Sequence, residues 1–232
     1  MKYIDIILRI ILLCCTLFTL MISITVNDLK FVIFLSILSE ILLAYVNVLN
    51  TKKIIRNGRI IMKYDDIPIY MIDTAYVSIN NIFSTSKEII ISDNVYNLLS
   101  YKERNALIIH EKCHIKKSHL FKISIAKSAS KLLGFITISI IFNCKKPKII
   151  LFFVLIWFIS ISLVYILMHF FEYTADRYSV YVTGEYVALI SAITKLSNTF
   201  NSHSNYLAID NTHPKYKKRI TNIKKIKIPN RE

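Results

Sequence analysis

Glycine is scarce in this chain, with three residues in 232, and no repeat or low-complexity stretch interrupts the sequence. That leaves little material for flexible linkers between separate bodies, and predicts one integrated unit. Cysteine is sparse as well. Cys14, Cys15, Cys113 and Cys144 show no paired spacing, which argues against a disulfide framework and against cysteine-built zinc modules. Acidic residues are outnumbered two to one, 15 against 30 Lys and Arg, for a formal charge of +15. Such an excess invites a nucleic-acid partner, yet the basic, aromatic-interleaved segments that read bases are missing. The charge collects beside apolar runs instead. Lys52, Lys53, Arg56, Arg59 and Lys63 follow one such run, and Lys215 to Lys227 form a basic tail. Both fit flanks drawn to anionic lipid, and no nucleic acid is expected.

What is abundant is apolar surface. Hydrophobic residues make up 54% of the chain, above the roughly 45–50% of soluble domains, and they cluster. Ile10 to Val26 carries no charge, Phe31 to Leu49 carries only Glu40, and Ile149 to Phe171 carries only His169 near its end. About 20 apolar residues cross a bilayer as a helix, so all three are predicted to span. Leu132 to Phe142 is too short alone, and spans only if Ala126 to Lys131 joins it with Lys127 and Lys131 reaching toward the interface. The basic start at Lys2 and Arg9 suits a signal peptide, but no small-x-small cleavage pattern follows Val26. A second apolar run begins after "NDLK", so a retained hairpin is expected.

The expected fold is therefore a mainly α membrane protein of about four transmembrane helices with a small β-sheet. Residues 1–50 would form an N-terminal membrane hairpin. Residues 51–232 would form a second domain, interrupted by another hairpin at about 126–171. "RIIMKY", "IPIYMI", "AYVSI" and "EIIIS" read as short strands, with turns at Asp65-Asp66, Asp73 and "NNIFSTSK". By the positive-inside rule the basic stretch after Leu49 lies in the cytoplasm, together with the polar segments. "CKKPK" between the last two apolar segments disagrees with that placement.

Chemistry concentrates in "RNALIIHEKCHIKKSHL". Ser100 and Glu103 form a capping box, predicting a helix from there. Residues four apart share a helix face, so His110 and His114 can aim imidazoles at one ion, while Glu111 reaches a water beside it. HExxH of this kind holds catalytic zinc, with the glutamate as general base. The third ligand must come from elsewhere. A HExxHxxGxxH pattern is excluded, because position 117 is Lys and His119 falls one residue early. The alternative is a glutamate from a later helix. Only Glu172, Glu185 and Glu232 follow His114, and Glu172 ends the last apolar run. Asp176 lies four residues on, placed to hydrogen-bond a ligand histidine. His169 is a rival ligand, and Glu172 and Asp176 also read as interfacial charges paired with Arg177.

Taken in order, these segments resemble the HtpX-like and CAAX-prenyl-protease membrane zinc metallopeptidases, gluzincins marked by HExxH and a later Glu-x-x-x-Asp. Asn81 in "INNIFST" resembles the family's Asn-Ala-Phe-Ala edge segment, and "YKERNALIIHEKCHIKKSH" its motif helix. "EYTADRYSVYVTGEYVALISAITKLS" and "NTHPKYKKRI" resemble the later helices and the Thr-His-Pro element with its trailing Arg. The likeness covers most of residues 75–222. It implies one zinc on His110, His114 and Glu172, Glu111 as base and acid, and Asp176 behind a ligand. It also implies His213 and Arg219 near the oxyanion or substrate backbone, and Asn81 on a strand that pairs with substrate. The expected activity is a zinc endopeptidase in the cell membrane, cutting membrane or unfolded polypeptides at the cytoplasmic face.

The sequence departs from the family inside the motif, where Lys112 and Cys113 replace an apolar and a small residue. A lysine beside the metal would weaken its binding. A dead relative is one alternative on that ground. Another, since membrane receptors also combine four helices, HExxH and a later glutamate, is a catalytically weak or inactive sensor or scaffold related to metalloprotease-type receptors, although those normally carry an extra sensing domain. A metal-free structural membrane protein would leave His110, Glu111, His114, Glu172 and Asp176 as coincidence.

Overall fold

A computed structural model describes residues 29–74, 81–200 and 214–226. The first apolar segment, the strand expected in "AYVSI" and His213 lie outside them. The described elements are α1 (Leu29–Arg56), β1 (Arg59–Tyr64), β2 (Ile67–Ile72), β3 (Ile82–Ser84), β4 (Ile89–Ser92), α2 (Asp93–Leu98), α3 (Tyr101–Lys116), α4 (His119–Asn143), α5 (Pro147–Thr183), α6 (Tyr186–Phe200) and α7 (Tyr216–Lys224). The chain divides into two compact units, one of residues 1–52 and 124–164, the other of 53–123 and 165–232.

The first unit takes its described residues from α1, α4 and α5, each long and apolar enough to cross a bilayer. α4 begins well before Leu132. The short apolar core there is part of a 25-residue helix, about 37 Å long at 1.5 Å per residue. Phe34, Ile41, Phe152, Phe158 and Leu163 are exposed along these helices, as hydrocarbon rather than water would allow. Polar groups inside the unit pair with one another. Lys131 Nζ lies 2.5 Å from Glu40 Oε1, and Ser128 donates to Glu40 Oε2 at 2.6 Å. Lys131 of α4 is thus tied to a carboxylate of α1. Gly134 allows close helix contact, since a Cβ there would lie 2.8 Å from the Trp157 indole.

In the second unit four strands form a mixed sheet in the order β1-β2-β4-β3. β1 and β2 are an antiparallel hairpin whose turn residues, Asp65 and Asp66, have φ of 46° and 64°. That left-handed backbone is one Asp tolerates better than most residues. β2 and β4 run parallel, with Ile69 beside Ile89, and β4 is buried throughout as the inner strand. β3 falls within "NNIFSTSK", where polar composition predicts only a turn. Its two apolar residues, Ile82 and Phe83, suffice because pairing with β4 supplies what propensity does not. The short α2 was also unexpected. Its start is capped by Ser92, which accepts from the Val95 N–H at 3.4 Å.

α3 begins as the capping box predicts. Ser100 Oγ accepts from the Glu103 N–H, and the Ser100 N–H donates back to Glu103 Oε2 at 2.7 Å. Ala106, Leu107 and Ile108 join β4, Val180, Leu189 and Ile223 in one core. α3 ends at Lys116, and Ser118, with φ of 51°, separates it from the start of α4 at His119.

Candidate metal centre

Three elements of the second unit supply the site. α3 brings His110, Glu111 and His114. α5 brings Glu172 and Asp176 on a buried stripe of Met168, Phe171, Glu172, Ala175, Asp176, Ser179 and Val180, the 3-and-4 spacing of one helix face. Ser179 fixes that face by donating to the Ala106 carbonyl of α3 at 2.6 Å. α7 brings Arg219, turned inward because Ile223, one turn later, is fully buried.

His110, His114 and Glu172 are all buried, and their candidate ligand atoms lie within 4.8 Å of one another. His110 Nε2 is 3.2 Å from His114 Nε2. The Glu172 carboxylate sits 3.5 Å from the first nitrogen and 3.4 Å from the second. Donors held about 2.0–2.1 Å from zinc in a tetrahedron are about 3.3–3.4 Å apart, so these spacings are those of tetrahedron edges. The charge fits as well. Glu111, Glu172 and Asp176 put three carboxylates near the histidines, against one guanidinium, that of Arg219, among the described residues. Burial favours a neutral His110, but the Asp176 and Glu172 carboxylates beside it outweigh this and push its pKa up to about 10. The pocket thus draws positive charge to the place where the nitrogens converge.

Around this trio each sequence-expected residue has a definite place. Asp176 Oδ1 lies 3.0 Å from His110 Nδ1, so that nitrogen carries the proton and Nε2 is left to ligate. Arg219 donates to Asp176 from Nε at 3.0 Å and from Nη2 at 2.6 Å, with Nη1 3.4 Å from Glu172 Oε2. It was expected near an oxyanion, and these donors face the carboxylates behind the histidines. Arg177 is exposed, and the cation beside Glu172 and Asp176 is Arg219. His169 is half-buried and outside the ligand cluster. Asn81 accepts from the Ile82 N–H through its own Oδ1 at 2.8 Å, just ahead of β3.

Lys112 is only 4% exposed, yet it is directed away from the histidines. Its ammonium pairs with Asp65 in the hairpin turn and lies 4.3 Å from the centre of the Tyr64 ring. Cys113 is fully buried, and burial pushes its thiol up to about 11, which leaves it inert near neutral pH.

Two partners were not anticipated. Ser84 of β3 donates to Glu111 Oε2 at 2.7 Å. His119 is buried with its Nδ1 3.1 Å from His114 Nδ1, and it stacks on Phe171 at 4.1 Å with the rings 6° from parallel. The sequence signal for the second was a histidine just past a basic helix end.

Mixed sheet, HExxH helix and a later helix carrying Glu172 and Asp176 make an arrangement that could hold a metal ion, and the family match agrees with a peptidase. Residues 69–227 match the family model of peptidase family M48, and the chain belongs to that family. It is similar to Protease HtpX homolog 2 of Methanosarcina acetivorans, at 23% identity over 199 residues, covering 69% of this chain and 68% of that protein.

Proposed function

We propose that the protein is a zinc endopeptidase of gluzincin type, anchored by four transmembrane helices and cleaving membrane or unfolded polypeptides at the cytoplasmic face. Residues 1–50 would form one membrane hairpin, and 51–232 the peptidase domain interrupted by a second at about 126–171. The observation that carries the activity is the tetrahedral spacing of His110, His114 and Glu172, with Glu111 one residue along the same helix. Three protein donors leave one position open to the reaction, as catalytic zinc sites do.

Bound there, zinc supplies the Lewis acidity that makes water a nucleophile at neutral pH and polarises a carbonyl. Glu111 accepts a proton from water as the water oxygen adds to the peptide carbonyl carbon. It then delivers that proton to the amine nitrogen as the C–N bond breaks. Asp176 fixes the His110 tautomer, and Arg219 balances the charge of Asp176 and Glu172. His213, if it follows the family, would contribute to the oxyanion or substrate contacts. β3, led by Asn81, is the strand along which an extended polypeptide would add. One argument for an inactive relative was a lysine near the metal, and Lys112 pairs instead with Asp65; the sensor or scaffold alternative predicts a site without hydrolysis.

The test is metal content and hydrolysis of an unfolded polypeptide such as casein by detergent-purified protein. One zinc per chain is expected in the wild type and in Glu111→Gln, and strongly reduced zinc in Glu172→Gln. Hydrolysis falls about 10²–10⁴-fold in Glu111→Gln. A wild type that takes up no zinc on reconstitution would overturn the proposal.

A further inference from the structure

Ser84 stands at the meeting of two functions. Its hydroxyl donates to Glu111 Oε2 at 2.7 Å, across 27 residues of sequence, and the residue is buried. Its main chain is on β3, which among the described residues ends the sheet. The ladder with β4 fixes which peptide groups face outward. Ser92 N–H donates to the Asn81 carbonyl at 3.1 Å, and Thr85 N–H donates to the Glu88 carbonyl at 2.8 Å. In an antiparallel pair such residues alternate, so Asn81, Phe83 and Thr85 direct their peptide groups at β4, while Ile82 and Ser84 direct theirs away from it. The Ile82 N–H is met by Asn81 Oδ1. The Ser84 peptide group is the next along the outer side.

We propose that Ser84 is a positioning residue for Glu111, its hydroxyl holding one carboxylate oxygen while its outward peptide group meets the incoming polypeptide strand. This rests on the peptidase function proposed above. A hydrogen bond donated to one oxygen of Glu111 stabilises the charged base and fixes the plane of the carboxylate, leaving the other oxygen for the water proton. Because donor and strand contact belong to one residue, seating of a substrate strand and alignment of the base are coupled. A polypeptide that pairs out of register would shift Ser84 and with it Glu111.

The experiment compares wild type, Ser84→Ala and Ser84→Thr as full-length, zinc-loaded protein in detergent. Ser84→Ala is expected to keep one zinc per chain and a similar KM, with kcat lowered about 10- to 100-fold, the effect of losing a hydrogen bond to a charged group. Ser84→Thr, which retains a hydroxyl, restores most of the rate. Independently of turnover, thermal unfolding of the metal-free chain gives a double-mutant cycle of Ser84→Ala with Glu111→Ala. Non-additive shifts in the midpoint are expected. Unchanged kcat in Ser84→Ala, loss of zinc along with activity, equal impairment of both variants, or strictly additive shifts would each overturn the proposal. A wild type that binds zinc but hydrolyses no polypeptide would instead sink the peptidase function, and this proposal with it.

Discussion

The Nδ1 atoms of His114 and His119 face each other at 3.1 Å, so one imidazole must donate and the other accept. If His114 ligates through Nε2, its Nδ1 carries the proton and His119 is the acceptor. His110 by contrast leans on a carboxylate, Asp176. The two histidines of the motif thus have partners of different charge, one neutral and one anionic. His119→Phe preserves a ring to stack on Phe171 and removes only the acceptor. Zinc affinity, read by competition with a chromogenic chelator, is expected to fall about 10- to 100-fold, with the thermal midpoint of the metal-free chain nearly unchanged. Equal affinity in the two proteins would show that His119 only packs.

Glu103 predicts an acid-sensitive link between α3 and α6. Burial works against its charge, but hydrogen bonds from Lys195, Ser191 and Ser100 outweigh this and hold the carboxyl at about 2. A carboxylate depressed in the folded state stabilises above its unfolded value near 4.5, and that contribution disappears as pH falls toward 2. Glu103→Gln is expected to lower stability by about 2–3 kcal/mol at pH 7. The gap between variant and wild type narrows in thermal melts taken at pH 3. A gap independent of pH would assign the loss to packing.

Lys112 and Asp65 predict an asymmetric pair of substitutions. Asp65→Asn leaves a buried ammonium without its anionic partner and lowers the thermal midpoint. Lys112→Met removes the buried charge and keeps the apolar stem, and the Asp65 left behind is exposed to water, so little stability is lost. Zinc content should be unchanged in both, because the pair points away from the histidines. Loss of zinc in Lys112→Met would show that the lysine reaches the metal.

Much of the site could be read from the sequence because it obeys local rules. His110 and His114 follow from helix periodicity, and the start of α3 from Ser100 and Glu103. Glu172 follows from how few glutamates come after the motif, and Asp176 from its place one turn on. What escaped was set by tertiary contact. Ser84 and Glu111 are 27 residues apart, and Lys112 and Asp65 are 47 apart. Asp176 and Arg219 are 43 apart. No spacing rule joins such pairs. His119 is near His114 in sequence but meets it only because Ser118 adopts a left-handed backbone, which periodicity does not foresee. β3 was hidden by polar neighbours until β4 lay beside it.

The bond from Ser179 to the Ala106 carbonyl has a consequence for the life of the protein. Ala106 is one turn before His110, and Ser179 lies two turns after Glu172. A clasp made of protein atoms alone therefore keeps the two helices in register. A cradle held by its own scaffold does not depend on a bound ion for its register, so the metal-free chain is expected to keep the spacing of the two helices.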